Sequence, residues 1–163
     1  MTTGSNRTMD LHQETGSPGN LRGNFVLLRA DTLRLLFRQD EVGNAEHLAS
    51  TLAPTEEPGL FLDSAGQSGR RFAALSARMT LLAACPADRF VVAPLGCGNA
   101  AYNLGWCWNE IRVLIDVELQ PQRLPAVLCA PNTPVEHYVN YGSEIAYLCS
   151  AERLHAYALA TRS

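Results

Sequence analysis

The apolar residues of this chain occur in short runs, each long enough for a β-strand and too short for a packed helix. Glycine, proline and small polar residues separate the runs and mark turns. The clearest case is the pair of runs at residues 135–139 and 144–149, which flank a connection containing Gly142. This pattern predicts a β-hairpin, and its repetition along the chain favours a mostly β fold.

The remaining runs extend the same prediction along the chain. A first hairpin is expected from the apolar runs around the turn at Ala30 and Asp31, and a closing helix from the capping residue Ser150. We expect about eight to ten short strands and two or three short helices in all. The strands are predicted at residues 24–29, 33–37, 59–62, 71–75, 89–93, 135–139 and 144–149, and two internal helices at residues 40–48 and 76–84.

Alternating apolar residues mark the middle of the second half. Trp106 and Trp108 share one face of an extended segment, and Ile111, Val113 and Ile115 share a face further on. Asn109 and Glu110 lie between the two sets, so the pattern indicates a half-buried strand or a bent pair. We expect the two indoles to lie in the core, although exposed aromatic side chains also anchor interfaces.

Composition and charge exclude several classes of protein. At 163 residues, 47% hydrophobic and 18% charged, the chain fits one ordinary domain with a real core. The net charge is −3 without a basic block, which argues against nucleic-acid binding. No run approaches the roughly 20 apolar residues of a membrane helix. Because the first residues carry no apolar segment of the kind found in a secretory signal, we expect a cytoplasmic protein.

The domain boundaries follow from the same composition. Residues 1–22 are polar and rich in Gly, Ser, Thr and Asn, which predicts a disordered N-terminal tail. Residues 23–163 are expected to form a single domain, in which no internal repeat is visible.

Candidate chemistry centres on the five cysteines, which form no Cys-x-x-Cys pair and are odd in number. We therefore expect reduced, buried thiols. Cys97 stands in the glycine-rich stretch at residues 96–99, where a thiol could be exposed and reactive, but no signature of a cysteine hydrolase surrounds it. The residues that could ligate a metal lack chelating spacing, namely Cys97, Cys107, Cys129, Cys149, His137 and His155. The expectation is a protein with no catalytic residue, no cofactor and no metal.

The order of the predicted elements resembles that of CheW-like domains, the scaffold family of bacterial chemotaxis. Seven segments carry the resemblance: residues 25–29 and 33–36 as the opening hairpin, 40–42 as a helix start, 89–92 and 110–116 as later strands, 124–128 as a proline-containing segment, and 141–154 as the closing turn, strand and helix. The resemblance spans residues 24–160. It implies two small five-stranded β-barrel subdomains that share a hydrophobic seam, with a few short helices and a C-terminal helix.

What the resemblance implies about function is docking without catalysis. Such an adaptor seats signalling proteins, a chemoreceptor and a histidine kinase, in apolar grooves and on strand edges. Chemotaxis couplers carry an Asn-Leu-Arg-Gly motif in the middle of the first subdomain, where this chain reads Arg70–Leu75 without it. The tetrapeptide does occur at residues 20–23, before the first predicted strand. A divergent coupler, or one serving a signalling array such as that of twitching motility, is therefore expected.

Two alternatives remain open at this stage. A cysteine-based enzyme or redox sensor would use Cys97 and would require a thiol that reacts quickly at neutral pH. A small-ligand-binding β-barrel would require an enclosed apolar pocket with a few convergent polar groups.

Overall fold

A computed structural model of the chain describes residues 19–48, 51–63, 70–96, 104–128 and 133–160. The described residues form twelve β-strands and one α-helix, α1, at Ala151–Ala160. The strands are β1 (Leu21–Ala30), β2 (Leu33–Arg38), β3 (Glu46–His47), β4 (Leu52–Pro54), β5 (Phe61–Asp63), β6 (Arg71–Ala74), β7 (Val91–Val92), β8 (Leu104–Trp108), β9 (Glu110–Leu119), β10 (Gln122–Arg123), β11 (Val135–Tyr141) and β12 (Glu144–Cys149). Short 3-10 helices occupy Gln39–Glu41 and Ala126–Leu128. The expectation of a mostly β fold with a C-terminal helix is confirmed.

The strands form two sheets. Sheet one has the order β10-β11-β12-β2-β1-β9 and sheet two has the order β3-β7-β8-β6-β5-β4. Neighbours are antiparallel except for two parallel pairs, β12 with β2 and β6 with β8, which join strands far apart in the sequence. Each sheet has six strands, and among the described residues neither order returns to its first strand.

Both predicted hairpins are confirmed. β1 and β2 pair antiparallel across the turn at Asp31 and Thr32, and β11 and β12 pair antiparallel across a turn at Gly142 and Ser143. Gly142 has a φ of 63°, a conformation that glycine adopts without the steric cost of a side chain. β1 begins at Leu21, three residues before its expected start, so it includes most of the tetrapeptide noted above. The expected tail up to residue 18 lies outside the described residues.

Three apolar cores explain why the strand sequences are so continuously apolar. The central core lies between the sheets and contains Val26 and Leu28 of β1 with Trp106 and Trp108 of β8, all buried. Core one, on the other face of sheet one, contains Phe25, Leu27, Leu36, Leu114, Leu119, Val139 and Ala146. Core two, on the other face of sheet two, contains Phe61, Phe72, Ala74, Val92 and Cys107. A strand with a core on each face buries successive side chains, and the period-2 alternation disappears.

The segment with the two tryptophans forms two strands joined by a bend, which is one of the two structures that the sequence pattern indicated. β8 belongs to sheet two and β9 to sheet one, and Asn109 connects them with only 8% of its surface exposed. Its backbone N–H donates to the carbonyl of Arg29 at 2.9 Å, and its side-chain oxygen accepts from the N–H of Asp31 at 2.6 Å. Its side-chain amide donates to the carbonyl of Asp88 at 3.2 Å. Asn109 therefore holds the hairpin of one sheet against a loop of the other.

The expected burial of the β9 side chains is only partly right. Leu114 is buried in core one, whereas Val113 is 50% exposed and Ile115 is 61% exposed. Val113 and Ile115 lie on the opposite face of β9 from Leu114, and β9 is the outer strand of sheet one. The alternation indicated a strand correctly, but it could not indicate which face the core would cover.

The helix predicted at residues 40–48 is wrong. Only Gln39–Glu41 makes a single 3-10 turn, and the chain then continues as the extended strand β3. The N–H of Gly43 donates to the carbonyl of Pro94 at 2.7 Å, so this segment satisfies its backbone by pairing with a distant strand region. Tertiary pairing has overridden a helical propensity that is weak to begin with.

The helix predicted at residues 76–84 is also wrong. The Ser76 hydroxyl accepts from the backbone N–H of Arg78 at 3.1 Å, and an antiparallel bridge joins Leu75 to Leu81. A serine that bonds to nearby backbone offers the chain an alternative to a helix. The segment is therefore a tight turn beside β6.

The closing helix agrees with the prediction. The Ser150 hydroxyl accepts from the N–H of Arg153 at 3.1 Å and caps the start of α1. Leu154 and Ala158 are fully buried on the central core. No helix in the described ranges is long and apolar enough to cross a bilayer.

Candidate functional site

The cysteines and histidines singled out in the sequence do not come together. Cys97 and Cys129 lie outside the described residues. Cys107 is buried in core two and Cys149 is buried at the end of β12, where burial raises its thiol pKa to about 12. In the described part of the chain, no three His, Cys, Asp or Glu side chains gather into a group that could hold a metal ion.

A cleft beside the edge strands of sheet two is lined in part by a cysteine side chain. We call it the thiol cleft; it has a volume of about 420 Å³ and is lined by Leu48, Thr51, Leu52, Cys85, Pro86, Ala87, Arg89 and Phe90. Leu48 follows β3 and Leu52 begins β4, so the two edge strands of sheet two approach each other there. Cys85 is half-buried in the cleft wall.

Two thiols meet at the inner wall of the thiol cleft. Cys85 packs against core two, which contains Cys107, and the Cys85 thiol donates a weak hydrogen bond to the carbonyl of Pro86 at 3.7 Å. The neighbouring thiol of Cys107 is the main cause of a lowered pKa at Cys85, because a hydrogen bond from it stabilises the Cys85 thiolate. The same hydrogen bond, together with burial, raises the pKa of Cys107. Cys85 is thus the thiol that ionises, and Cys107 keeps its proton.

A buried cation lies beside the thiol pair. Arg89 has no exposed surface, and its guanidinium donates through Nη1 to the carbonyl of Cys107 at 3.4 Å. Nη2 lies 3.2 Å from a carboxylate oxygen of Asp31, in a direction that does not make a hydrogen bond. Nε has no hydrogen-bond partner among the described residues. The positive charge of Arg89 contributes to the lowered pKa of Cys85, which burial and the nearby Asp88 oppose.

Sequence reasoning missed this site because it considered Cys97 rather than Cys85. One signal was present: Arg89 begins an otherwise apolar run, and a charge at the start of a buried strand needs partners. Cys85 lies in the loop before β7 and Cys107 lies in β8, so the two cysteines are distant in the sequence. No local spacing could have paired them.

A second candidate site is the outer edge of β9, by which we mean Glu110 to Ile115 with its exposed side chains. β9 pairs on one side with β1. No described strand pairs with its other side, so the backbone groups there face outward. Asp116 has a φ of 50°, and its N–H donates to the side chain of Asn24 at 2.7 Å. This irregularity at Asp116 interrupts the regular strand. Residues 110–115 therefore form a short extended ribbon that carries Val113 and Ile115.

Comparison with known proteins identifies no relative. No protein-family model matches the chain, and a search of curated proteins finds no match.

Proposed function

We propose that this chain is a non-catalytic adaptor with the architecture of CheW-like domains, which docks the proteins of a receptor–kinase signalling array in the cytoplasm. Sheet one and sheet two correspond to the two barrel subdomains of that family. The histidine kinase, of the chemotaxis type or its twitching-motility equivalent, binds along the outer edge of β9. The exposed apolar side chains of that unpaired edge are the observation on which the proposal rests.

The curvature of sheet one supports the barrel assignment. Arg112 of β9 lies over the ring of Tyr141 of β11, 5.9 Å from its centroid. Three strands separate β9 from β11 in the hydrogen-bonded order, so sheet one curves enough to bring these two side chains together beside core one. Sheet two has core two on one face, and the central core between the sheets corresponds to the shared hydrophobic seam.

The outer edge of β9 has the chemistry of a docking strand. An extended partner segment that pairs with a free strand edge gains main-chain hydrogen bonds, and alternate side chains supply specificity. Val113 and Ile115 are two residues apart, so they lie on one face of the ribbon and offer an apolar contact to such a segment. Arg112 and Glu110 carry opposite charges on the same ribbon and bond to each other at 3.0 Å.

The filled cores favour an adaptor over a small-ligand barrel. Each sheet fills the core on its outer face with its own side chains, Phe25 and Leu27 in core one and Phe61 and Phe72 in core two. An enclosed ligand cavity would need that interior volume. The thiol cleft lies at the margin of sheet two and opens to solvent.

The test is direct binding. The purified chain, carrying a fluorophore at its N-terminus, is titrated with the regulatory domains of the histidine kinases and with the cytoplasmic tips of the chemoreceptors from the same genome. Fluorescence anisotropy should give a Kd on the order of micromolar for one kinase domain. Ile115→Arg should weaken that binding at least tenfold, about 1.4 kcal/mol, because it places a charge in the contact.

Val127→Arg is the matched control. Val127 is 89% exposed on the second 3-10 helix, so the same substitution there changes the charge equally without reaching β9. It should leave the Kd unchanged. If no kinase domain or receptor tip binds the unmodified chain, or if both variants weaken binding equally, the proposal is wrong.

A further inference from the structure

The thiol cleft contains a reactive arrangement that docking through β9 does not use. Cys85 lines the cleft, which opens to solvent, while Cys107 lies in core two, against which Cys85 packs, with 1% of its surface exposed. One thiol is therefore accessible to a small reagent, and the other is shielded from it. Besides Cys85 and Thr51, the cleft is lined by apolar side chains and by one buried cation, Arg89.

Arg89 makes the cleft favourable for a negatively charged sulfur. Its guanidinium is buried, and the carboxylate of Asp31, which lies beside it, is half exposed to water. A hydrogen-bond donor at Nε has no acceptor among the described residues. A buried donor without a partner costs about 1–3 kcal/mol, so an anion arriving in this cleft gains an interaction that the resting protein lacks.

We propose that Cys85 is a peroxide-reactive thiol, and that Cys107 resolves it into an intramolecular disulfide. The oxidant is a small hydroperoxide, which the cleft volume of about 420 Å³ admits readily. The site lies in sheet two and is independent of the β9 edge in sheet one.

The reaction proceeds in two balanced steps. The Cys85 thiolate attacks the outer oxygen of the hydroperoxide, an S–O bond forms, the O–O bond breaks, and the leaving alkoxide or hydroxide takes a proton. Cys85 has become a sulfenic acid. The sulfur of Cys107 then attacks the Cys85 sulfur, the S–S bond forms, the S–O bond breaks, and the hydroxide leaves as water with the Cys107 proton. Two thiols and one hydroperoxide give a disulfide, an alcohol or water, and a further water.

Each residue of the site has one part in this scheme. Cys85 ionises more easily than a free cysteine because Cys107 and Arg89 stabilise its thiolate. Cys107 stays protonated and, because it is buried in core two, reacts only after Cys85 has been oxidised. A resolving thiol adjacent to an exposed thiol of lowered pKa is the arrangement found in redox-sensing cysteine pairs.

Peptide mapping tests the proposal. The chain contains no Lys, so trypsin cleaves only after Arg; Cys85 falls in residues 79–89 and Cys107 in residues 90–112, together with Cys97. The Cys97→Ser variant removes that ambiguity. One equivalent of hydrogen peroxide should join the two peptides, with loss of two of the four thiols that this variant retains, and dithiothreitol should restore them.

Cys85→Ser is the second variant, chosen because Cys85 is only half-buried at the margin of core two and serine is close to cysteine in size. It should form no cross-link while keeping the circular dichroism spectrum and Tm of the unmodified chain. Without peroxide, iodoacetamide at pH 7 should modify Cys85 at least about tenfold faster than the buried Cys149. Recovery of Cys85 as a free thiol or sulfinic acid in the Cys97→Ser variant, with no cross-link to Cys107, would overturn the proposal.

Discussion

Asn109 stands where β8 of sheet two continues into β9 of sheet one, and its side chain bonds to both neighbouring segments. Asn109→Ala removes the acceptor for the N–H of Asp31 at 2.6 Å and the donor to the carbonyl of Asp88 at 3.2 Å. Each hydrogen bond contributes about 0.5–1.5 kcal/mol net. Because Asp31 is exposed, water can replace part of the first bond, and the expected loss is about 1–2 kcal/mol.

Urea denaturation followed by tryptophan fluorescence measures this loss. Trp106 and Trp108 lie in the central core beside Asn109, so their emission reports the unfolding of both sheets. A loss of this size lowers the Tm by about 3–6 °C in a domain of this length. Asn140→Ala is the control, because Asn140 is an exposed residue of β11 and its replacement should change the free energy by less than about 0.5 kcal/mol. Equal effects of the two substitutions would refute the role assigned to Asn109.

Three further perturbations test single local features. Ser150→Ala removes the hydroxyl that accepts from the N–H of Arg153 and should lower the free energy of unfolding by about 1 kcal/mol in urea titrations. Gly142→Ala forces a side chain into a backbone with a φ of 63°, and about 1 kcal/mol should be lost although the space beyond is open. The Arg153 guanidinium lies 2.9 Å from Glu136 and holds the pKa of that carboxyl below its usual value. This pair therefore stabilises the fold above the usual carboxyl pKa, and the contribution disappears as the pH falls through the lowered value. The difference in unfolding free energy between the unmodified chain and Glu136→Gln should be less than about 1 kcal/mol at pH 6, since both groups are half exposed, and near zero at pH 3.

Each of these has an outcome that contradicts it. A Ser150→Ala variant as stable as the unmodified chain would show that the cap contributes nothing. Ser143→Ala changes the neighbouring turn residue without a positive φ, so a loss equal to that of Gly142→Ala would show that backbone strain is not the cause. A Glu136→Gln difference that grows as the pH falls would reverse the sign of the ion-pair effect.

Local signals in the sequence were enough for several elements. The hairpin at Gly142 and the helix start at Ser150 each depend on residues within a few positions of one another, and both predictions are confirmed. The predictions of the two internal helices are wrong because contacts with distant residues decide the structure of those segments. The N–H of Gly43 bonds to Pro94, and a bond across such a distance leaves no periodicity in the segment itself.

The reactive site was beyond sequence reasoning for a related reason. The resemblance to CheW-like domains directs attention to docking surfaces, and the glycine-rich stretch directs it to Cys97. The geometry instead brings together Cys85, Cys107 and Arg89; Cys107 lies on β8, and the other two lie in the loop before β7. Their proximity follows from the register of β7 against β8, in which Val92 faces Cys107.

By itself the sequence determined that the chain is mostly β, that it contains the hairpins β1–β2 and β11–β12, and that a capped helix follows the second hairpin. These features depend on alternation, turn residues and capping, which act within a few residues. Only the tertiary structure decided that β12 lies parallel to β2, that β9 is left as an outer edge with Val113 and Ile115 exposed, and that Cys85 meets Cys107. These features depend on the way in which the apolar strands pack around three cores. Burial is a property of the whole packed chain rather than of any one segment.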